Sequence, residues 1–225
     1  MMAKSLDFVN PFKPGAGQVP PYLAGRVRER EEFVKLLEQK EIITNPLLTG
    51  LRGVGKTVLM DTLKPLAMRK KWLWVGNDLS EAASLSEGNL VTRILADISV
   101  VSSSFKIIIE GASGTPIEQE LDYNYLFSQC ENTPGLMADK LRAIFELVHD
   151  AMPDEYRGII FAYDEAQKLS DQRVKNEYPL SMMLEVFQSI QRKGIPFMFF
   201  PVGPPMLFPR LVESRTYAER MFRVL

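Results

Sequence analysis

Residues 50–57 have the types and the spacing of a loop that binds phosphate. They read Gly-Leu-Arg-Gly-Val-Gly-Lys-Thr and satisfy the pattern G-x-x-x-x-G-K-[ST] in full. Glycines let successive backbone N–H groups point at phosphate oxygens, and a helix that begins here adds the partial positive charge of its N-terminus. An apolar run precedes the loop and a helical pattern follows it, as this motif requires. The pattern predicts binding of a nucleoside triphosphate.

The side chains at the end of the loop have distinct expected tasks. Lys56 is expected to reach the β and γ phosphates, and the hydroxyl of Thr57 is expected to bind Mg²⁺. Because the guanine signature N-K-x-D is absent, we expect ATP as the nucleotide. The predicted nucleotide contacts from this part of the chain are Gly50, Arg52, Gly53, Val54, Gly55, Lys56, Thr57 and Val58.

A second motif consists of an apolar run, residues 159–163, that ends in Asp164 and Glu165. Ligands of parallel sheets bind at the carboxyl ends of the strands, which is where these two acids are expected. The motif looks like a Walker B motif, in which Asp164 holds Mg²⁺ and Glu165 polarises the water that attacks the γ-phosphate. Lys56 and Glu165 are therefore candidate catalytic residues of an ATPase.

The elements that must position these residues alternate between strands and helices. Apolar runs predict strands over residues 46–49, 72–75, 159–163 and 195–202, and a β-branched run predicts one over residues 105–109. Helical spacing predicts helices over residues 26–39, 57–63, 90–98, 136–152 and 180–193, the last followed by Gly194. Pro65 is expected to kink or end the second helix, and residues 111–135 show no clear pattern.

This alternation predicts an α/β fold with a parallel central sheet covered on both faces. Together with the phosphate-binding loop at residues 50–57, the pattern resembles the three-layer sandwich of the P-loop NTPases. Residues 1–25, rich in proline and glycine, are expected to form an extended arm. Residues 26–225 are expected to form the nucleotide-binding core.

The composition excludes several other classes of site. With 27 basic and 28 acidic side chains the formal net charge is -1, so nucleic acid is not favoured as a partner, although the basic residues 69–71 are compatible with one. One cysteine and one histidine exclude a disulfide framework and the usual Cys/His zinc sites. Neither a signal peptide nor an apolar run of membrane-spanning length is visible, so we expect a cytoplasmic protein without membrane contact.

Five segments, taken in order, resemble the AAA+ ATPases, in particular bacterial AAA ATPase-domain proteins related to the STAND and Orc/Cdc6-like groups. These segments are residues 10–17, 21–26, 49–57, 164–167 and 214–220. The resemblance covers nearly all of the chain. It implies ATP binding with Mg²⁺, together with a protein partner or self-association.

The resemblance also implies roles for residues ahead of the first helix. Tyr22, Leu23 and Arg26 become candidate contacts of the base and ribose. Val27 stands where these proteins usually carry a glutamate, so no polar role is expected at that position.

Toward the end of the chain, Arg215 and Arg220 lie in the region of the arginine fingers, which act on the γ-phosphate of a neighbouring subunit. These proteins also carry a polar sensor residue at the end of a core strand, whereas residues 201–205 of this chain are Pro-Val-Gly-Pro-Pro. The resemblance further implies a fifth strand near Leu225 and a helical lid after it, so we expect a chain whose lid is absent or truncated.

Three functions remain open at this stage. The first is hydrolysis of ATP to ADP and phosphate, which drives conformational work on a partner. The second is a nucleotide-gated switch of the STAND type with slow hydrolysis, which the missing polar sensor favours. The third is a DNA-associated ATPase of the Orc/Cdc6 kind, which needs a winged-helix segment that this sequence does not contain. A small-molecule kinase is disfavoured because the pair Asp164 and Glu165 indicates water as the acceptor.

Overall fold

A computed structural model describes residues 25–110 and 115–225, in which helices and strands alternate along most of the chain. The helices are α1 (Val27–Leu37), α2 (Lys56–Arg69), α3 (Glu87–Ser102), α4 (Tyr123–Asn132), α5 (Met137–Ala151), α6 (Pro179–Arg192), α7 (Leu207–Ser214) and α8 (Ala218–Met221). The strands are β1 (Asn45–Thr49), β2 (Trp72–Val75), β3 (Lys106–Glu110), β4 (Pro116–Glu120), β5 (Gly158–Tyr163), β6 (Phe197–Gly203) and β7 (Phe222–Val224). Within the described ranges, no helix combines the length and apolarity needed to cross a membrane.

Five strands form one parallel sheet in the order β2-β5-β6-β1-β7. Parallel neighbours require crossover connections, and helices supply them here. The carboxyl ends of β1, β5 and β6 therefore lie at the same edge of the sheet. The predicted α/β fold with a parallel central sheet is confirmed.

Helices cover both faces of this sheet. Along β5, Ile159 and Phe161 pack in a core with α3, α4, α5 and α6, whereas Ile160 and Ala162 pack with α1 and α2 on the other face. All six residues of β5 are buried, as expected for a strand covered on both sides. The predicted three-layer arrangement is thus confirmed.

The helix after the loop does not end at Pro65, which was one of the two outcomes that the sequence predicted. It neither ends nor restarts there but continues to Arg69. Proline inside a helix costs about 3 kcal/mol because it removes a donor and crowds the preceding turn. Leu63 and Ala67, on either side of Pro65, are fully buried against the sheet, and packing of this kind supplies most of the stability of protein helices. Tertiary packing therefore overrides the local signal.

Residues 105–135 also differ from the prediction. The strand predicted at residues 105–109 forms β3, but it pairs antiparallel with β4 outside the central sheet. Next, α4 begins after Asp122, whose side chain accepts a hydrogen bond from the Tyr125 N–H at 2.8 Å. Aspartate is a favoured residue at this capping position, so Asp122 was an available signal for α4.

Candidate functional site

The predicted phosphate-binding loop lies between the carboxyl end of β1 and the start of α2. The N–H of Gly50 donates to the carbonyl oxygen of Gly203 at 3.2 Å, which joins the start of the loop to the end of β6. Gly53 and Gly55 have φ angles of 82° and 83°, a left-handed conformation that suits glycine. No side chain of the described residues caps the N-terminus of α2. Its first N–H groups therefore point into the loop without a capping partner, which is the arrangement that binds anions.

The ammonium group of Lys56 lies against the backbone at the start of this loop. Its Nζ donates to the carbonyl oxygens of Gly50 at 2.9 Å and Leu51 at 3.0 Å. The cation is thereby held beside the N-terminus of α2, so two sources of positive potential act at one place. This arrangement can attract a phosphate group.

The side chains of Thr57, in the first turn of α2, and Asp164, directly after β5, are in contact. The Thr57 hydroxyl donates to Asp164 Oδ2 at 2.5 Å, and Asp164 is only 4% exposed. The second carboxylate oxygen of Asp164 accepts the Glu165 N–H at 2.7 Å. A hydroxyl and a carboxylate oxygen fit Mg²⁺, which keeps several waters and is completed by substrate phosphates. The described residues contain no cluster of three or more His, Cys, Asp or Glu side chains that could hold a metal alone.

Glu165 follows Asp164 directly, but Glu165 is exposed whereas Asp164 is buried. The φ angle of Glu165 is 53°, a conformation that is uncommon for residues with a side chain. The amide Nε2 of Gln167 donates to Glu165 Oε2 at 2.5 Å. Gln167 was not predicted as a site residue, and its position two residues after Glu165 was the available signal.

Arg26, the N-cap residue of α1, contacts the loop. Its Nη2 donates to the Val54 carbonyl oxygen at 2.9 Å, and its Nη1 donates to Glu29 Oε1 at 2.6 Å. This hydrogen bond lowers the pKa of the Glu29 carboxyl below its usual value. Glu29, two positions after Val27, supplies the carboxylate that pairs with Arg26. Arg26 therefore ties α1 to the loop.

The two candidate arginine fingers lie away from the loop of their own chain. Arg215 has its Nη2 3.6 Å from Glu185 Oε2 on α6. Arg220 lines a cleft with Ile43 and Gln188, beside the amino end of β1, which is the end opposite the loop. Neither arginine is brought together with Lys56. Their action on a neighbouring subunit stays a prediction.

The remaining predicted contacts divide between described and undescribed parts of the chain. Arg52 is exposed on the loop, and Val58 is partly buried in the first turn of α2. Tyr22 and Leu23 lie outside the described residues, as does the predicted arm except Gly25.

Comparison with known proteins supports the fold assignment. No protein-family model and no curated protein sequence matches this chain. Among solved structures it is similar to the ORC2 protein of Aeropyrum pernix, determined as ADPNP-ADP complexes, with a TM-score of 0.54 and 18% sequence identity. The match covers 94% of this chain and 50% of that chain, so this chain spans about half the length of its structural relative. The likeness shows that this chain shares the α/β fold of that structure, with a parallel central sheet between helices.

Proposed function

We propose that this protein binds ATP with Mg²⁺ at residues 50–57 and hydrolyses the nucleotide to ADP and phosphate. The observation that carries the proposal is the meeting of Thr57 and Asp164, 2.5 Å apart, next to a loop that holds Lys56. The ADPNP-ADP complexes of the structurally similar ORC2 protein support the same ligand class.

Binding begins with the phosphates. Gly53 and Gly55 allow the left-handed backbone turns of the loop, and the first N–H groups of α2 donate to phosphate oxygens. Lys56 exchanges its bonds to the Gly50 and Leu51 carbonyl oxygens for bonds to the β and γ phosphates. Because both the ammonium and the helix terminus are fixed in advance, they stabilise the charge that develops on the transferred phosphoryl group.

Thr57 and Asp164 hold the metal ion. The Thr57 hydroxyl and the buried Asp164 carboxylate, which contact each other here, would be the protein groups that hold Mg²⁺. Bound Mg²⁺ neutralises phosphate charge.

Glu165 acts as the general base. Its exposed carboxylate at the carboxyl edge of β5 accepts a proton from water as the water oxygen attacks the γ-phosphorus. The bond between the γ-phosphorus and the oxygen that bridges to the β-phosphate breaks, and ADP leaves. Asp164 and Glu165 thus divide the metal and base roles.

The energy of hydrolysis drives conformational work on a protein partner or on a second copy of the chain, where Arg215 and Arg220 act as arginine fingers. A switch of the STAND type with slow hydrolysis is the second candidate. It is favoured by the absence of a polar side chain at residues 201–205. The likeness to ORC2 keeps a DNA-associated ATPase as a third reading, which the net charge of -1 does not support.

The test measures binding of a fluorescent ATP analogue and release of phosphate by wild type, Lys56→Ala and Glu165→Gln. We expect Lys56→Ala to weaken binding at least about tenfold, because it removes a charge-assisted hydrogen bond. Glu165→Gln should bind normally and turn over about 100- to 10,000-fold more slowly. Lys64→Ala on the exposed side of α2 and the exposed Glu155→Gln serve as matched controls.

The outcomes separate the assignments. Undiminished binding by Lys56→Ala contradicts the loop assignment, and unchanged turnover in Glu165→Gln contradicts the base assignment. A wild type that binds ATP but barely releases phosphate supports the switch.

A further inference from the structure

Gln167 is connected to the candidate base through a short helical turn. This turn, Ala166–Lys168, starts directly after Glu165. The amide Nε2 of Gln167 donates to Glu165 Oε2 at 2.5 Å. One N–H of the amide is therefore committed to the carboxylate that the proposed hydrolysis uses as its base.

The oxygen of the same amide has no hydrogen-bond partner among residues 25–110 and 115–225. Gln167 Oε1 is buried and accepts no hydrogen bond from the described residues. Exchanging the oxygen and nitrogen would put a carbonyl oxygen against the Glu165 carboxylate, where neither atom can donate. The orientation is thus set by Glu165, and the unpartnered oxygen follows from it. Such buried unsatisfied atoms are rare in proteins and require an explanation.

Gln167 Oε1 lies over the end of β6. A Cβ atom built on Gly203 would stand 2.8 Å from this oxygen, so only glycine leaves the amide its full space. The carbonyl oxygen of Gly203 in turn accepts the Gly50 N–H at 3.2 Å. The amide therefore lies between the carboxylate that follows β5 and the strand end that adjoins the phosphate-binding loop. Residues 201–205 contribute no polar side chain to this place, and Gln167 contributes one from the neighbouring turn.

We propose that Gln167 is the positioning residue of the hydrolytic site. Its Nε2 orients the Glu165 carboxylate, which accepts a proton from the attacking water. Its buried Oε1 packs on Gly203 and fixes the amide, so the carboxylate is held in one orientation for the attack on the γ-phosphorus. This inference rests on the proposed hydrolysis of ATP at residues 50–57.

The test compares single-turnover hydrolysis of γ-³²P-ATP by wild type, Gln167→Met, Glu165→Gln and the double variant. Methionine keeps the length of the side chain without either hydrogen bond. We expect Gln167→Met to lower the hydrolysis rate about 10- to 100-fold while the Kd for ATP and the melting temperature stay at their wild-type values. The double variant should hydrolyse no more slowly than Glu165→Gln, because residues that act as a unit are not additive. Gln172→Met is the matched control, since the Gln172 amide bonds Ser170 and not Glu165.

A second variant acts on the same contact from β6. Gly203→Ala introduces a methyl group 2.8 Å from Gln167 Oε1 and 2.9 Å from Leu207 Cδ2. We expect it to lower the rate by a factor similar to that of Gln167→Met, again without loss of ATP affinity.

The failures can be told apart. If wild type hydrolyses ATP and Gln167→Met is equally fast, the positioning role is overturned while the proposed ATPase stands. The role is also overturned if Gln167→Met loses ATP affinity or thermal stability together with rate. It is overturned as well if the decrease in hydrolysis rate of the double variant equals the product of the decreases in the two single variants. If wild type releases no phosphate within a single turnover, the proposed hydrolysis fails and this inference fails with it.

Discussion

The hydroxyl of Thr57 donates a hydrogen bond to Asp164 Oδ2 at 2.5 Å across 107 residues of sequence. The strands that precede these two residues, β1 and β5, are not neighbours, since β6 lies between them in the sheet. The contact therefore spans the end of β6 and joins the predicted phosphate-binding loop to the two acids. This contact is the basis of the metal prediction.

Removing the Thr57 hydroxyl should weaken the contribution of Mg²⁺ to nucleotide binding. We expect Thr57→Val to lower ATP affinity in Mg²⁺ about 10- to 100-fold, the equivalent of one hydrogen bond to a charged group. Thr57→Ser keeps the hydroxyl and should bind like wild type. Titration of a fluorescent ATP analogue in Mg²⁺ and in EDTA measures both variants. Equal weakening in EDTA would show that the hydroxyl does not act through the metal.

Arg26 should stabilise the loop through the Val54 carbonyl oxygen. Arg26→Ala removes the 2.9 Å bond to this oxygen and is expected to lower ATP affinity about three- to tenfold. Arg26→Lys should not restore it, because one ammonium group lacks the fork that reaches both Glu29 and Val54. The exposed Arg28→Ala is the matched control. Isothermal titration calorimetry measures the ATP affinity of each variant. Equal affinities for Arg26→Ala and Arg28→Ala contradict the prediction.

Asn45 should be essential for stability although it is distant from the loop. Its side chain is fully buried at 0% exposure. The amide exchanges hydrogen bonds with Gln191, accepts the Phe199 N–H at 2.9 Å and donates to the Met221 carbonyl oxygen at 3.2 Å. Asn45→Ala leaves these groups unpaired and should lower the free energy of unfolding by about 2–4 kcal/mol.

Urea denaturation followed by circular dichroism measures this change. The exposed Asn132→Ala provides the control and should stay within about 0.5 kcal/mol of wild type. A shift in Asn45→Ala no larger than that of the control would show that water replaces the lost bonds.

Cys130 should be nearly inert in the folded protein. It is 3% exposed on α4, and burial raises the pKa of its thiol. The folded state favours the protonated thiol over the thiolate. The contribution of Cys130 to the free energy of unfolding is therefore complete below the ordinary thiol pKa and is lost as pH rises through the raised pKa. We expect a disulfide reagent such as Ellman's reagent to react slowly at pH 8 and to react readily in 8 M urea. Equally fast reaction without urea would exclude a buried thiol.

Several elements could be predicted from local sequence, and the failures have identifiable causes. The strands at Trp72–Val75 and Gly158–Tyr163 are short apolar runs with clear ends, and the structure contains both in one parallel sheet. Pro65 did not end α2, because a local rule does not include the burial of Leu63 and Ala67. The strand at Lys106–Glu110 was found, but nothing local indicated that its partner is β4.

The sequence by itself determined the residues of the loop and of the acidic pair. In both motifs the groups that define the chemistry are adjacent in the chain, so turn geometry and side-chain type are enough to recognise them. Tertiary structure alone decided that Thr57 meets Asp164, that Arg26 reaches Val54, and that the Gln167 amide lies on Gly203. Such contacts depend on strand order and on the packing of many side chains at once. The interactions that fix these contacts involve the whole core, so no short segment of sequence predicts them.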